Sequence, residues 1–295
     1  MYFFIALTPL ARFRVGTAIL LILALSSLGN DFNTLYAPSG ALNPSLLALG
    51  NKPALPAIGQ LFVYLHQCSA WSYESLILLI QGIYYFLCLA LLFGAFTKPA
   101  TLLLLALHNS IFISTVSLAY GADYFCQIAL FYCLLFPVQR YQSLDARWFH
   151  YSPISEHRLH RCFTILRIHL ALVYFFGGLG KALGPTWWNG QALWKALHLP
   201  FFYQPAHWIA GHGLWPVSIM PILGILVWGV ELCYPLLLVA PRKYHTAVWA
   251  IILLHVGIGL FMGLLLFSLT MIFLNVAAWF WAPVPIIHHT RNHSK

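Results

Sequence analysis

The chain has 295 residues, of which 61% are hydrophobic and only 7% are charged, and its mean hydropathy is +0.81. Because soluble domains have roughly 25% charged residues, this composition excludes a soluble globular protein and indicates an integral membrane protein. The net charge of +9 comes from 15 basic and 6 acidic residues. The sequence has no basic stretch interleaved with aromatic residues, so we expect no nucleic-acid partner. We expect the lipid bilayer to be the main partner of this chain.

Apolar runs predict an all-α membrane protein, a polytopic bundle of about eight transmembrane helices. In chain order the predicted spans are 14–30, 73–95, 99–119, 122–138, 162–183, 217–240, 245–264 and 266–283. The first run has the length of a signal-peptide core, but no clear cleavage site follows it, so we interpret it as an uncleaved helix. We expect residues 1–295 to form a single transmembrane domain with no soluble domain.

Two long segments, 31–72 and 184–216, connect helices on the same side of the predicted bundle. The second segment is rich in tryptophan and histidine, and tryptophan favours the membrane interface. We expect it to lie on the outer surface as short amphipathic helices that form a lid or contact a substrate. The residues we assign to this role are Trp187, Trp188, His207 and His212.

Basic residues favour the cytoplasmic side of a membrane, and their distribution predicts the orientation. With both termini in the cytoplasm, the outer side holds only Lys52, Lys195 and Lys181. The inner side then holds Arg12, Arg14, Lys98, Arg140, Arg147, Arg158, Arg161, Arg242, Lys243, Arg291 and Lys295. This asymmetry favours an even number of spans.

Lys181 ends an apolar run, and intramembrane ionisable residues are candidates for function. A desolvated lysine loses basicity and can act as a general base, although a lysine near a helix end can also extend its ammonium into outer water. Asp123 lies at a similar predicted depth and would pair with or orient Lys181. The alternative for Asp123 is a carboxylate that stabilises the start of its helix.

A second polar group lies deeper in the predicted spans, and Glu231 is its acidic member. An isolated carboxylate there would be protonated or paired, and the histidines at similar depth are its expected supporting partners: His108, His169 and His255. The alternative is a neutral Glu–His bond that fixes helix packing. No metal is expected, because HExxH is absent and no two of these histidines share a helix at ligand spacing.

Three glycines, Gly177, Gly178 and Gly180, precede Lys181. They permit either close approach of two helix backbones or space for a flat ligand beside the lysine. The spacing alone does not distinguish these two interpretations.

Several of these residues resemble the pattern of a known family. The stretch Val173-Tyr174-Phe175 to Gly178, then Lys181 and Trp188-Asn189-Gly190, is similar to the membrane domain of vitamin K-dependent gamma-carboxylase and to the broader horizontally transferred transmembrane (HTTM) family. Glu231 matches an acidic position of a later helix, and His255 followed by Phe267-Ser268-Leu269-Thr270-Met271 is similar to the closing motif. The likeness covers most of residues 10–283.

The resemblance implies a quinol-linked membrane enzyme in a bacterial inner membrane, with Lys181 deprotonating a vitamin K-type quinol that then reacts with oxygen. Asp123 would orient Lys181, and Glu231 with His255 would form a polar support or proton path. A secreted peptide or small molecule would be the substrate. The family's animal carboxylase has a histidine near the position of Asp123 and a large luminal domain, which this chain lacks up to Lys295.

Two alternatives to an enzyme stay open. The short chain is similar in architecture to the sporulation-delaying protein B type, which implies a non-catalytic accessory protein for maturation or export of a secreted peptide. Intramembrane Glu and His residues would also suit a small-molecule or proton carrier, although no inverted repeat of interrupted helices is visible.

Overall fold

The computed structural model describes residues 7–29, 31–36, 58–69, 71–113, 120–198 and 217–281. Within these ranges the fold is all-α, with 13 α-helices and no strand. The helices are α1 (Pro9–Leu28), α2 (Asp31–Tyr36), α3 (Ile58–Cys68), α4 (Tyr73–Phe93), α5 (Thr97–His108), α6 (Gly121–Leu135), α7 (Leu144–Trp148), α8 (Glu156–Ala182), α9 (Pro185–Trp188), α10 (Gln191–Leu197), α11 (Met220–Cys233), α12 (Val248–Met262) and α13 (Leu265–Phe280). The predicted all-α helical class is confirmed.

Five helical stretches are long and apolar enough to cross a membrane: Pro9–Leu28, Tyr73–Phe93, Glu156–Ala182, Val217–Leu238 and His245–Met262. They coincide with five of the predicted spans, and the shorter apolar helices α6 and α13 occupy two more. Helix α5 and a π-helical turn at Asn109–Ile113 cover the first part of the predicted span 99–119, whose end lies outside the described residues. The number of eight spans stays a prediction.

Side chains cap the first turns of α8 and α5. The hydroxyl of Ser155 accepts a hydrogen bond from the backbone N–H of Arg158 and satisfies a free donor at the start of α8. At the start of α5, the carboxylate of Asp145 accepts from the backbone N–H groups of Phe96 and Thr97, at 2.7 and 2.8 Å. Asp145 is remote in sequence, so this cap also ties α7 to α5.

The buried apolar side chains form two large clusters that meet along α1 and α6. One cluster contains residues of α8, α12 and α13 together with residues of α1 and α6. The other contains residues of α2, α3, α4 and α5, again together with residues of α1 and α6. Gly16 lets α13 approach α1 closely, because a Cβ at this position would lie 2.1 Å from the ring of Phe273. Helices α1 and α6 are therefore the shared centre of the bundle.

One end of the bundle, which we call the basic end, is held by cations that bind backbone carbonyls. Arg14 donates to three carbonyls of the segment that follows α6: those of Val138, Tyr141 and Gln142. Lys98 donates to the carbonyls at the end of α6: those of Cys133, Leu134 and Phe136. These bonds bring the starts of α1 and α5 against the end of α6. We call the opposite end, where α6 begins and α8 finishes, the far end.

Candidate functional site

An ion pair between Lys181 and Glu231 lies toward the far end of the bundle. Lys181 is in the last turn of α8, and Glu231 is in the last turn of α11. The Nζ of Lys181 donates to Oε2 of Glu231 at 2.5 Å, and 26% of the lysine side chain and 11% of the glutamate side chain are exposed. No other salt bridge is found within the described residues. This short, partly buried charge pair joins α8 to α11.

Close contact between α8 and α11 depends on Gly178. A Cβ at this position would lie 2.7 Å from the backbone N of Leu232 and 3.0 Å from the carbonyl oxygen of Trp228. Any larger residue would therefore separate the two helices. Gly180, by contrast, has nothing within 4 Å of an added Cβ. The sequence allowed two interpretations of these glycines, and the contact at Gly178 is a close approach of two helix backbones.

The predicted grouping of these residues is wrong in one respect. The sequence grouped Lys181 with Asp123 near the surface and placed Glu231 deeper, yet the structure joins Lys181 to Glu231. The reason is that α9 and α10 turn back beside the first half of α11. A Cβ on Gly224 of α11 would lie 2.5 Å from the carbonyl oxygen of Trp187 in α9. Glu231 lies roughly 16 Å along α11 from the first residue of that helix, and at this point α11 lies beside the end of α8.

Asp123 does not pair with Lys181, which corrects the predicted role of this carboxylate as the orienting partner. Its Oδ2 accepts from the backbone N–H of Tyr120 at 3.0 Å, three residues earlier at the start of α6. This is the helix-start arrangement that the sequence offered as the alternative. Asp123 also lines a small cavity of about 80 Å³ together with Tyr36 and Phe112.

Two of the three predicted histidine partners bind elsewhere. The Nε2 of His108 donates to the carbonyl oxygen of Asp123 at 3.1 Å, so its Nδ1 accepts from the hydroxyl of Tyr84 at 2.9 Å. The Nδ1 of His169 shares a hydrogen bond with the hydroxyl of Tyr132 at 2.9 Å. The structure therefore does not bring His108 or His169 to Glu231, and both histidines tie neighbouring helices together.

His255 ends a buried chain of hydrogen bonds that starts in α13. The indole Nε1 of Trp279 donates to the hydroxyl of Tyr234 at 2.6 Å, and this hydroxyl donates to Oδ1 of Asn275 at 2.7 Å. The Nδ2 of Asn275 donates to the hydroxyl of Tyr174 at 2.7 Å, and Tyr174 bonds Nε2 of His255 at 2.8 Å. Because indole and amide N–H groups can only donate, every bond in this chain has the same direction.

The direction of these hydrogen bonds determines which ring nitrogen of a neutral His255 carries the proton. Tyr174 accepts from Asn275 and so donates its own proton to Nε2 of the imidazole. A neutral His255 then carries its proton on Nδ1, and this buried atom has no hydrogen-bond partner. The partner of His255, Tyr174, precedes Lys181 on α8 by about two helical turns. The unused donor thus lies on the side of α8 that leads to the ion pair.

The predicted lid residues are described in part. The Nζ of Lys181 lies 5.6 Å from the ring centroid of Trp187, which is a cation–π contact. Trp188 donates its indole N–H to the carbonyl of Ala182 at 2.7 Å and packs on Trp228 with ring centroids 4.9 Å apart. His207 and His212 lie outside the described residues. Trp187 therefore contacts Lys181, and Trp188 contacts α11 one turn before Glu231.

No group of three or more His, Cys, Asp or Glu side chains that could hold a metal ion occurs within the described ranges. The ionisable groups of this region are the Lys181–Glu231 pair and the nearby imidazole of His255. Trp228 supplies a second unused donor, because its buried indole N–H also lacks a partner and lies one helical turn before Glu231.

Comparison of the chain with known protein families, with curated proteins and with solved structures found no match. The resemblance to the HTTM and gamma-carboxylase-like proteins thus rests on the residues named above. Of these, Lys181 and Glu231 form the pair, and His255 bonds Tyr174 on the same helix as the lysine.

Proposed function

We propose that the protein is a quinol-linked membrane enzyme of the gamma-carboxylase-like type, in which Lys181 is the general base and Glu231 shares its proton. The observation that supports this most directly is the Lys181–Glu231 pair, 2.5 Å apart and partly open to the surface. Partial burial brings the neutral amine and carboxylic acid closer in free energy to the ion pair. Transfer of the lysine proton to Glu231 therefore generates the amine that a general base requires.

A flat ring that carries oxygen atoms would find aromatic and hydrogen-bonding groups near the pair. Trp187 presents its ring to the ammonium of Lys181, and Trp188 packs on Trp228, one helical turn before Glu231. The unpartnered N–H groups of Trp228 and His255 are donors suited to a quinol or quinone oxygen. When bound, a vitamin K-type quinol would supply the reaction with oxygen. The neutral amine of Lys181 would take the hydroxyl proton and become an ammonium again, while Glu231 keeps the proton that it received from the lysine. A secreted peptide or small molecule would be the acceptor.

The second candidate is a non-catalytic accessory protein for maturation or export of a secreted peptide. The close contact at Gly178 favours it, because the ion pair then serves as a clamp that fixes α8 against α11. The two functions differ in what they require of residue 181. A clamp needs only a positive charge that reaches Glu231, whereas a base needs a group that can lose its proton.

The test is quinol-dependent oxygen uptake by the full-length protein in lipid vesicles, with vitamin K hydroquinone as the probe. The informative variant is Lys181→Arg, because arginine keeps the ion pair but is not deprotonated in proteins. Lys195→Arg, on the exposed surface of α10, is the matched control. The enzyme requires uptake by the wild type and by the control, and its near-complete loss in Lys181→Arg. Uptake that is equal in all three proteins would overturn the base assignment.

We propose further that the protein lies in a bacterial inner membrane with both termini in the cytoplasm. The basic end, with Arg14, Lys98 and Arg147, would then be the cytoplasmic end. The test is a fluorescent protein fused to the carboxyl terminus, of a kind that folds only in the cytoplasm. Bright cells support this orientation, and dark cells that contain the full-length fusion would reverse it.

A further inference from the structure

A large cavity opens at the basic end, away from the Lys181–Glu231 pair. Its volume is about 640 Å³, within the range of roughly 300–1,000 Å³ of ligand pockets. The walls between α1 and α4 are apolar, and they include Val15 and Leu92. Ile19 and Phe93 also line it and are 43% and 60% exposed, so the cavity opens sideways onto the apolar surface of the bundle. A ligand can therefore enter from the side that faces lipid.

The inner wall of this cavity carries a buried positive charge. The side chain of Arg14 lines the cavity although the residue is only 1% exposed. Its Nη atoms bond backbone carbonyls, but its Nε has no hydrogen-bond partner, and no carboxylate of the described chain lies within ion-pair distance. The nearby carboxylate of Asp145 is committed to the start of α5. Arg14 thus keeps a free donor and a charge that no carboxylate directly neutralises.

The mouth of the cavity adds a second arginine and an aromatic rim. Arg147 lines the cavity and is exposed, and Ser143 and Gln142 contribute polar side chains beside it. Trp148 and Phe149 follow directly and are 50% and 53% exposed. Exposed tryptophan next to arginine is typical of the level of the lipid headgroups. The charged part of the cavity therefore lies at headgroup depth and the apolar part at acyl-chain depth.

We propose that this cavity binds an anionic phospholipid of the leaflet at the basic end. The phosphate would lie between Arg14 and Arg147, and one acyl chain would lie along Val15, Ile19 and Phe93. The separation of charge and apolar surface within one cavity matches the two parts of a lipid, and basic pockets between transmembrane helices on the cytoplasmic side are known to take such headgroups. A soluble anion would use only the polar half.

The test is native mass spectrometry of the full-length protein in detergent, titrated with phosphatidylglycerol or with phosphatidylcholine of the same acyl chains. We expect phosphatidylglycerol to bind more tightly. Arg147→Gln should weaken its binding about fivefold, the effect of one basic residue near an anionic headgroup, and leave phosphatidylcholine unchanged. Arg161→Gln is the control, since Arg161 is exposed near the start of α8 and does not line the cavity.

A second variant separates a lipid from a free anion. Ile19→Trp places a large ring in the acyl-chain part of the cavity at a position that is already half exposed, so folding is preserved. It should weaken phosphatidylglycerol binding without changing the affinity for inorganic phosphate. Equal binding of the two lipids, or equal effects of Arg147→Gln and Arg161→Gln, would overturn the proposal. So would an Ile19→Trp protein that binds phosphatidylglycerol as the wild type does.

Discussion

Removal of the ammonium of Lys181 should destabilise the protein more than removal of the charge of Glu231. Lys181→Met removes the partner of Glu231, whose side chain is only 11% exposed. Breaking a buried pair in this way costs about 3–5 kcal/mol, and because 26% of the lysine side chain is exposed we expect a value near the lower limit, about 3 kcal/mol. Glu231→Gln keeps an amide oxygen that accepts from Nζ, and the ammonium can turn to the surface, so we expect about 1–2 kcal/mol.

The assay is reversible unfolding in mixed detergent micelles, followed for both single variants and for the double variant. The double variant leaves no unpaired charge, so its loss of unfolding free energy should be on the order of 1–2 kcal/mol less than the sum of the two single losses. Lys195→Met, at an exposed position, should change stability by less than about 0.5 kcal/mol. Two single losses of equal size that simply add would refute the reasoning.

Three other changes should be measured in the same unfolding assay. Gly178→Val should cost about 1–3 kcal/mol by forcing α8 from α11, whereas Gly180→Val, with nothing near its Cβ, should cost less than about 1 kcal/mol; equal losses would contradict the close contact. Asp145→Ala removes both capping hydrogen bonds at the start of α5 and should cost about 1–2 kcal/mol. An unchanged stability would contradict the capping role of Asp145. Asn275→Leu leaves the hydroxyl of Tyr234 without its acceptor and the hydroxyl of Tyr174 without its donor, and it should cost about 1–3 kcal/mol; a gain in stability would refute the role of that chain.

The helices were predictable because apolar runs and their ends are local properties of the sequence. Five predicted spans coincide with helices long enough to cross a membrane, and the short helices α9 and α10 lie within the predicted outer segment 184–216. The partner of Lys181 was not predictable in the same way. It depends on α9 and α10 turning back along α11, and helix periodicity carries no information about such a turn.

The buried hydrogen-bond chain was missed for a different reason. Tyr174, Tyr234 and Trp279 each have large apolar surfaces and read as core or interface residues in a membrane protein. Asn275 was the available signal, because it is the only amide in α13, whose other polar residues are the hydroxyl-bearing Ser268 and Thr270. A buried amide needs partners for both its oxygen and its nitrogen, and the two tyrosines provide them.

The central claim is that Lys181 acts as a base and not only as a clamp for Glu231. The most direct measurement is the ratio of quinol-dependent oxygen uptake by Lys181→Arg to that by Lys195→Arg, each normalised to folded protein in the same vesicles. We expect a ratio near zero with the fold of both variants intact. A ratio near one would show that only the positive charge of residue 181 is needed, and it would contradict a role of Lys181 as a base.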